Sequence, residues 1–221
     1  VHLGSSLQSI GEYAFDGCTA LKSITIPESV YSIGDQFLAN CPSLQEIKGK
    51  FASDDNRTLV VNKVLKAIAP YQLTEYTIPE GVEEIGKFVF TNYSNLTRVT
   101  IPEGVKKIGM HAFNGCGLLS LTLPSTLKYI ENFMFCNNPR LTEVYCYAVT
   151  PPGLSGSWFN ASIFEEGTIV RVPAESVEAY NPTRNSISSG QVLHCPYTYK
   201  KARLIIKEMS DLLALDLVSK K

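Results

Sequence analysis

The chain lacks an excess of charge of either sign. Lys and Arg number 20 and Asp and Glu 21, for a net charge of −1 over 221 residues. A general nucleic-acid binder needs surplus cations to displace counterions, so nucleic acid is not an expected partner. Long apolar runs are missing too. No stretch approaches the roughly 20 residues of a membrane-spanning helix. The six Cys include no C-x-x-C pair, which removes the usual zinc spacing. His is scarce, at three residues, and Trp occurs once. No Gly-rich phosphate cradle is present. Val1 is not followed by the basic and apolar regions of a secretory signal. The chain therefore reads as a mature form, a fragment or a cytosolic protein.

What the sequence does have is repetition. An Ile anchor recurs as Ile10, Ile33, Ile85, Ile108 and Ile130. Five residues after it stand Phe15, Leu38, Phe90, Phe113 and Phe135, and eight after it Cys18, Cys41, Tyr93, Cys116 and Asn138. A Leu follows each, then an alternating piece such as Ile24-Thr25-Ile26-Pro27 or Leu121-Thr122-Leu123-Pro124. Side chains alternate along a strand, so the aliphatic residues face one way and Ser or Thr the other. Pro lacks an N–H and closes the strand. Such a unit cannot bury its apolar face alone, but stacked units can. The expectation is a mainly β repeat solenoid, a right-handed leucine-rich-repeat stack. Its roughly seven short strands fall near 21–27, 44–48, 73–79, 96–102, 118–124, 141–146 and 168–173. The Phe of each corner should fill the interior.

Two segments interrupt the period. Residues 49–72 contain TLVVNKVLKAIAP, read as a hairpin turning at Asn62-Lys63 and projecting from one rim. Residues 147–164 form an irregular loop rich in Pro, Gly and Ser, with Trp158 and Phe159. The solenoid domain spans 1–180. Residues 181–221 are a linker and an amphipathic helical tail, with Ala202, Ile206, Met209, Leu213 and Leu217 at helical spacing. That helix reads as an end cap, an exposed tail or a partner-binding element.

The columns of SITIPESVYSIGDQFLANCPSLQEI and VTIPEGVKKIGMHAFNGCGLLSLTLP resemble the BspA-like leucine-rich repeats of bacterial surface antigens. The resemblance covers about residues 5–146, and TIVRVPAESVEAY looks like a closing strand motif of such domains. It implies an extracellular or cell-surface location. It also implies a non-enzymatic adhesion module that meets a host or bacterial surface protein, or a glycan.

Little in the residues points to catalysis. Cys18, Cys41 and Cys116 share a column and read as small buried thiols, and Cys146 as core. Cys136 and Cys195 fall outside that ladder. A free-thiol set fits the spacing better than a disulfide framework, though Cys18 and Cys41 could pair if their geometry allows. His111 with Cys116 is the nearest thing to a nucleophile and base. SDDN at 53–56 is a candidate calcium loop. No cofactor is expected. The outward positions remain: Ser23, Thr25, Glu46, Glu75, Thr77, Arg98, Thr100 and Glu143 as a candidate ligand-binding surface, with the loop carrying Trp158 and Phe159 as the other candidate. The Thr column reads equally as β-propensity, and Trp158 as an end cap. A structural spacer within a larger surface protein is the alternative function. An enzyme is disfavoured.

Overall fold

The computed structural model describes residues 1–154, 168–180 and 205–208. Two families of short strands alternate along it. The first supplies one strand per coil: β2 (Ser23–Ile26), β4 (Glu46–Gly49), β7 (Glu75–Thr77), β9 (Arg98–Thr100), β11 (Ser120–Leu123), β13 (Glu143–Cys146) and β15 (Ile169–Val172). These are the seven strands expected from the repeat. The second family is shorter: β1 (Ser9–Ile10), β3 (Ser32–Ile33), β8 (Glu84–Ile85), β10 (Lys107–Ile108), β12 (Tyr129–Ile130) and β14 (Gly153–Leu154). Pairing within both families is parallel and in register, for example Ser120↔Glu143 and Lys107↔Tyr129. Each coil therefore sits on the next, as stacking requires.

The interior follows the alternation. Ile24, Ile47, Val99, Leu121, Val144 and Val170 are buried from one sheet, and Ile10, Ile33, Ile85, Ile108 and Ile130 from the other. At the corner, Phe90, Phe113 and Phe135 stack, with ring centroids 4.9 and 6.1 Å apart. The Cys column lies beside them. Cys116 Sγ donates to Phe90 O at 3.0 Å and Cys41 Sγ to Phe15 O at 3.1 Å. Asn138, in the same column, donates to Phe113 O at 2.7 Å. The column therefore ties each corner to the one before it.

The corner needs two left-handed residues four positions apart. The second column is Gly17, Asn40, Asn92, Gly115 and Asn137, residue types that tolerate φ between 54° and 72°. The first is Tyr13, Gln36, Phe88, His111 and Phe133, at φ between 54° and 60°. These residues are rarely left-handed. Coil-to-coil bonds such as Phe88 N→Met110 O (3.0 Å) and Phe90 N→Ala112 O (2.9 Å) hold the corner in shape. Gly34 serves a different need: a Cβ there would lie 2.4 Å from Glu12 N of the preceding coil.

The insertion forms the expected antiparallel hairpin, β5 (Thr58–Val61) and β6 (Val64–Ile68), and Asn62 and Lys63 turn at φ 50° and 65°. It does not project from a rim. β6 pairs in parallel with β8, Val64↔Glu84 and Leu65↔Ile85, and so completes the second sheet. Its side chains divide the interior. Leu65 and Ile68 pack in the C-terminal core cluster, and Leu59, Val61, Ala67 and Ala69 in the N-terminal one. Its apolar content decides the matter: a projecting hairpin would leave these residues in water.

Two further expectations change. The segment read as an irregular loop contains β14, which extends the second sheet by pairing with β12. The tail, read as a helix, instead supplies β16 (Ile205–Glu208), parallel to β15 with Ile169↔Ile205 and Val172↔Glu208. The open edge of β15 offers unpaired N–H and C=O groups, and pairing there outweighs a 3.6-residue periodicity. The rest of the 181–221 linker and tail lies outside the described residues. One four-residue α-helix, α1 (Val177–Tyr180), occurs among them. Its Tyr180 hydroxyl donates to Ala148 O at 2.7 Å and closes this end of the core.

Candidate functional site

The outward residues of the first strand family line successive parallel pairs along the stack. Register places Ser23 beside Glu46 and Thr25 beside Lys48. Glu75 lies beside Arg98 and Thr77 beside Thr100. Ser120 lies beside Glu143 and Thr122 beside Tyr145. The alternation that buries Tyr76, Val99 and Leu121 turns these groups out, and Glu75, Thr77, Arg98, Thr100, Ser120 and Thr122 are all exposed.

The ends of this series are already paired. Glu46 meets Lys48 at 2.5 Å. Glu143 accepts from Arg171 Nη2 at 3.0 Å and from the Tyr145 hydroxyl. That arrangement raises the Tyr145 pKa, chiefly through the hydrogen bond to the carboxylate and then through burial. The middle differs. Among the described residues, Glu75 and Arg98 make no ion pair, and Thr77, Thr100, Ser120 and Thr122 make no side-chain hydrogen bond. Trp158 and Phe159 lie outside the described residues.

The second sheet carries the opposite pattern. Glu83 bridges Lys106 (2.8 Å) and Lys63 (2.6 Å). The hydrogen bond from Lys106, then that from Lys63, holds its carboxyl near pKa 2. Lys107 bridges Glu131 (2.8 Å) and Glu84 (3.0 Å), which raises its pKa, Glu131 first. Asp35 meets Lys66 at 2.6 Å and Lys87 at 3.4 Å. Burial pushes Asp35 up, but the hydrogen bonds and charges of the two lysines together bring it below the usual range. Lys66 sits at the irregularity in the β5–β6 register, where a bulge re-aims a side chain. This clasp links the second coil, the hairpin and the third coil, and the sequence pattern does not announce it.

The groups considered for chemistry are otherwise engaged. Cys18, Cys41, Cys116 and Cys146 are free thiols, so Cys18 and Cys41 are not bridged. Burial pushes the Cys41 thiol up to about 11, and raises Cys116 further. Both are poor nucleophiles. His111 does not meet Cys116. Its ring stacks between Phe88 (5.0 Å) and Phe133 (5.3 Å), and its Nδ1 is buried without a partner. Cys136 is disulfide-bonded, which departs from the all-thiol expectation. In the SDDN loop, Asp55 accepts from Ser53 Oγ and Arg57 N and serves as a local turn cap. No cluster of three or more His, Cys, Asp or Glu able to hold a metal occurs among the described residues.

The BspA type leucine rich repeat model matches residues 1–56 and 66–165 in six copies. The chain belongs to the BspA-type leucine-rich repeat family. The gap in the match, 57–65, coincides with β5 and the turn of the inserted hairpin. No curated protein matches the chain. A leucine-rich repeat protein from Eubacterium ventriosum has a similar structure at TM-score 0.60 and 22% identity, over 94% of this chain and 54% of that one. The pneumococcal vaccine antigen PcpA aligns at TM-score 0.50 and 17% identity, over 91% of this chain and 60% of that one. A leucine rich cell surface protein from Faecalibacterium prausnitzii aligns at 0.47 and 19%, over 80% and 64%. At 22% identity and TM-score 0.60, the likeness to the Eubacterium ventriosum protein shows the leucine-rich-repeat fold. The chain spans 54–64% of the length of these proteins.

Proposed function

We propose that this BspA-type domain is a non-enzymatic binding module displayed outside the cell, and that it meets a protein through its first strand face. One contrast carries the reading. Charges on the second sheet satisfy one another coil by coil, whereas Glu75 and Arg98 stand in register on adjacent strands without an ion pair among the described residues. A partner that engages the middle of the first face, over β7 and β9, breaks no ion pair of the described residues, and its own charges complete the pair. Solenoids present extended faces suited to such contacts. The outward residues described on the face are mostly hydroxyls and charges, with Tyr145 near one end, which favours a protein over a glycan. The disulfide at Cys136 suits an oxidising exterior.

The test is binding of the full chain to arrays of purified extracellular proteins and of glycans, repeated with Glu75→Ala and Arg98→Ala combined. A protein hit weakened at least roughly tenfold by the pair supports the reading. Hits confined to glycans, or a protein hit indifferent to the pair, refute it. The spacer alternative draws on one observation: similar solved proteins are longer than this chain. It predicts silent arrays.

A further inference from the structure

Two exposed residues break the columns of their own repeat. The position just before each outward strand residue holds Lys22, Gln45, Thr74, Thr97, Leu119 and Thr142. Leu119 alone is apolar, and it is 45% exposed. The position that closes each strand holds Pro27, Lys50, Pro79, Pro102, Pro124 and Tyr147. Tyr147 alone is aromatic, also 45% exposed, and Val149 just beyond is 56% exposed. A single exposed Leu needs no explanation. Two departures from a polar or Pro column, both exposed and on neighbouring coils, are less easily dismissed.

The core does not call for either residue. Leu118 and Leu121 already fill the interior at this coil, and Val144 and Cys146 at the next. Both backbones are held in the stack, Leu119 N→Thr97 O at 3.3 Å and Tyr147 N→Leu123 O at 3.1 Å. Leu119 leads into β11 and Tyr147 leaves β13, so they mark opposite ends of adjacent strands. Register sets Leu119 opposite Thr142, so five residues of extended chain and one strand spacing put them about 17 Å apart. Ser120 and Thr122 lie between. Arg98, on the neighbouring β9, is the one cation among the outward side chains of β7, β9, β11 and β13.

We propose that Leu119, Tyr147 and Arg98 form the docking patch of the strand face for a protein partner, a conclusion that rests on the strand-face reading above. The occupant is a protein surface with apolar side chains over Leu119 and Tyr147 and a carboxylate opposite Arg98. Two features of the patch select that chemistry. Arg98 makes no ion pair among the described residues although Glu75 stands beside it, and Tyr and Arg are the residue types that concentrate binding energy when desolvated by a partner.

The probe is a display library of short randomised peptides, panned on the full chain. Selected peptides are then titrated against wild type, Leu119→Thr, Tyr147→Thr, Arg98→Ala, and Tyr31→Thr on the second-sheet side. Thr is what the Leu119 column holds in its neighbours, and it keeps the Tyr147 N–H, so both variants should retain the wild-type unfolding midpoint. The expected pool combines Asp or Glu with aliphatic or aromatic residues. Each of the three patch substitutions should weaken it by roughly tenfold or more, and Tyr31→Thr should leave it unchanged. Peptides indifferent to Leu119→Thr and Tyr147→Thr overturn the patch. So does binding of heparin alone that depends on Arg98, or self-association of the chain abolished by the same substitutions. If the Glu75 and Arg98 pair matters while Leu119 and Tyr147 do not, the strand face stands and the patch falls. If none of the four matters, both fall.

Discussion

The Phe column gives the sharpest test of the stacked architecture, because one residue type occupies it at two very different places. Phe113 is fully buried between Phe90 and Phe135, with a ring on each side. Phe15 belongs to the same column at the N-terminal coil and is only partly buried. Phe113→Ala removes the ring and leaves a cavity in a packed interior, at about 3–5 kcal/mol. Phe113→Leu keeps most of the volume but forfeits two ring pairs, at about 0.5–1.5 kcal/mol each. Phe15→Ala opens toward solvent instead of creating a cavity. Full burial of a Phe is worth about 1.5–3 kcal/mol, so its partial burial scales to about 1 kcal/mol.

Urea unfolding by far-UV circular dichroism ranks the three variants, and native-state hydrogen exchange locates the damage. Phe113→Ala should lower protection across the C-terminal core cluster, which it shares with Leu65 and Val144. Phe15→Ala should lower it in the first coils alone, since stability in a solenoid is a sum over neighbours. Equal costs at the two sites, or global loss of protection from Phe15→Ala, would refute the idea that column position sets the magnitude.

The inserted hairpin should behave as core. Leu65→Ala is expected to cost about 2–5 kcal/mol by urea unfolding, whereas a hairpin projecting into solvent would give under about 0.5 kcal/mol. His111 should make the protein acid-sensitive. Burial lowers its pKa below 6.5, so the folded state takes up a proton less readily than the unfolded one. Its contribution is complete above the unfolded pKa and declines as pH falls through it toward the lower folded value. His111→Phe continues the Phe88–Phe133 stack and should flatten the stability profile between about pH 7 and 5, where unperturbed His titrates. An unchanged slope in unfolding midpoints measured across that range would contradict this. Alkylation by iodoacetamide under native conditions, read by peptide mass spectrometry, should modify Cys18 before Cys41 or Cys116. Cys18 is half-buried, whereas the other two are buried and their pKa values are raised.

The scaffold was legible wherever one physical demand recurs at a fixed interval. Ile24 and Ile26 point inward because strands alternate, and the same two positions recur in the other coils. Asn62-Lys63 could be placed because a two-residue hairpin turn needs positive φ. The column of Tyr13, Gln36, Phe88, His111 and Phe133 could not, since none of those residue types announces a left-handed backbone and the coil-to-coil bonds impose it. The Lys66 clasp depends on a bulge that shifts one side chain, which no spacing rule reveals. At Ile206 the helical period misled, because the open edge of β15 takes Ile205–Glu208 as a strand and a β-branched Ile-Ile pair suits it. Leu119 and Tyr147 were visible in the sequence from the start, but as departures from their columns rather than as members of them.

Periodicity could not say which face of the stack is free to bind. Lys63, Glu83 and Lys106 alternate in sign along the second sheet, and Glu75 and Arg98 alternate on the first, so the two columns look alike as text. In the fold they part. The first series closes into bridges of 2.6 and 2.8 Å, while the second stays open among the described residues. The difference bears on association. A ligand on the second sheet must displace Lys106 or Lys63 from Glu83 before it gains anything, and desolvating groups that are already paired is a cost it must recover. A ligand over Arg98 faces no such exchange. It supplies a counter-charge where no ion pair exists among the described residues, and the exposed Leu119 and Tyr147 side chains have apolar surface still to bury. The repeat therefore builds two scaffolding faces, and the state of their charges, together with two broken columns, is what the proposed binding face rests on.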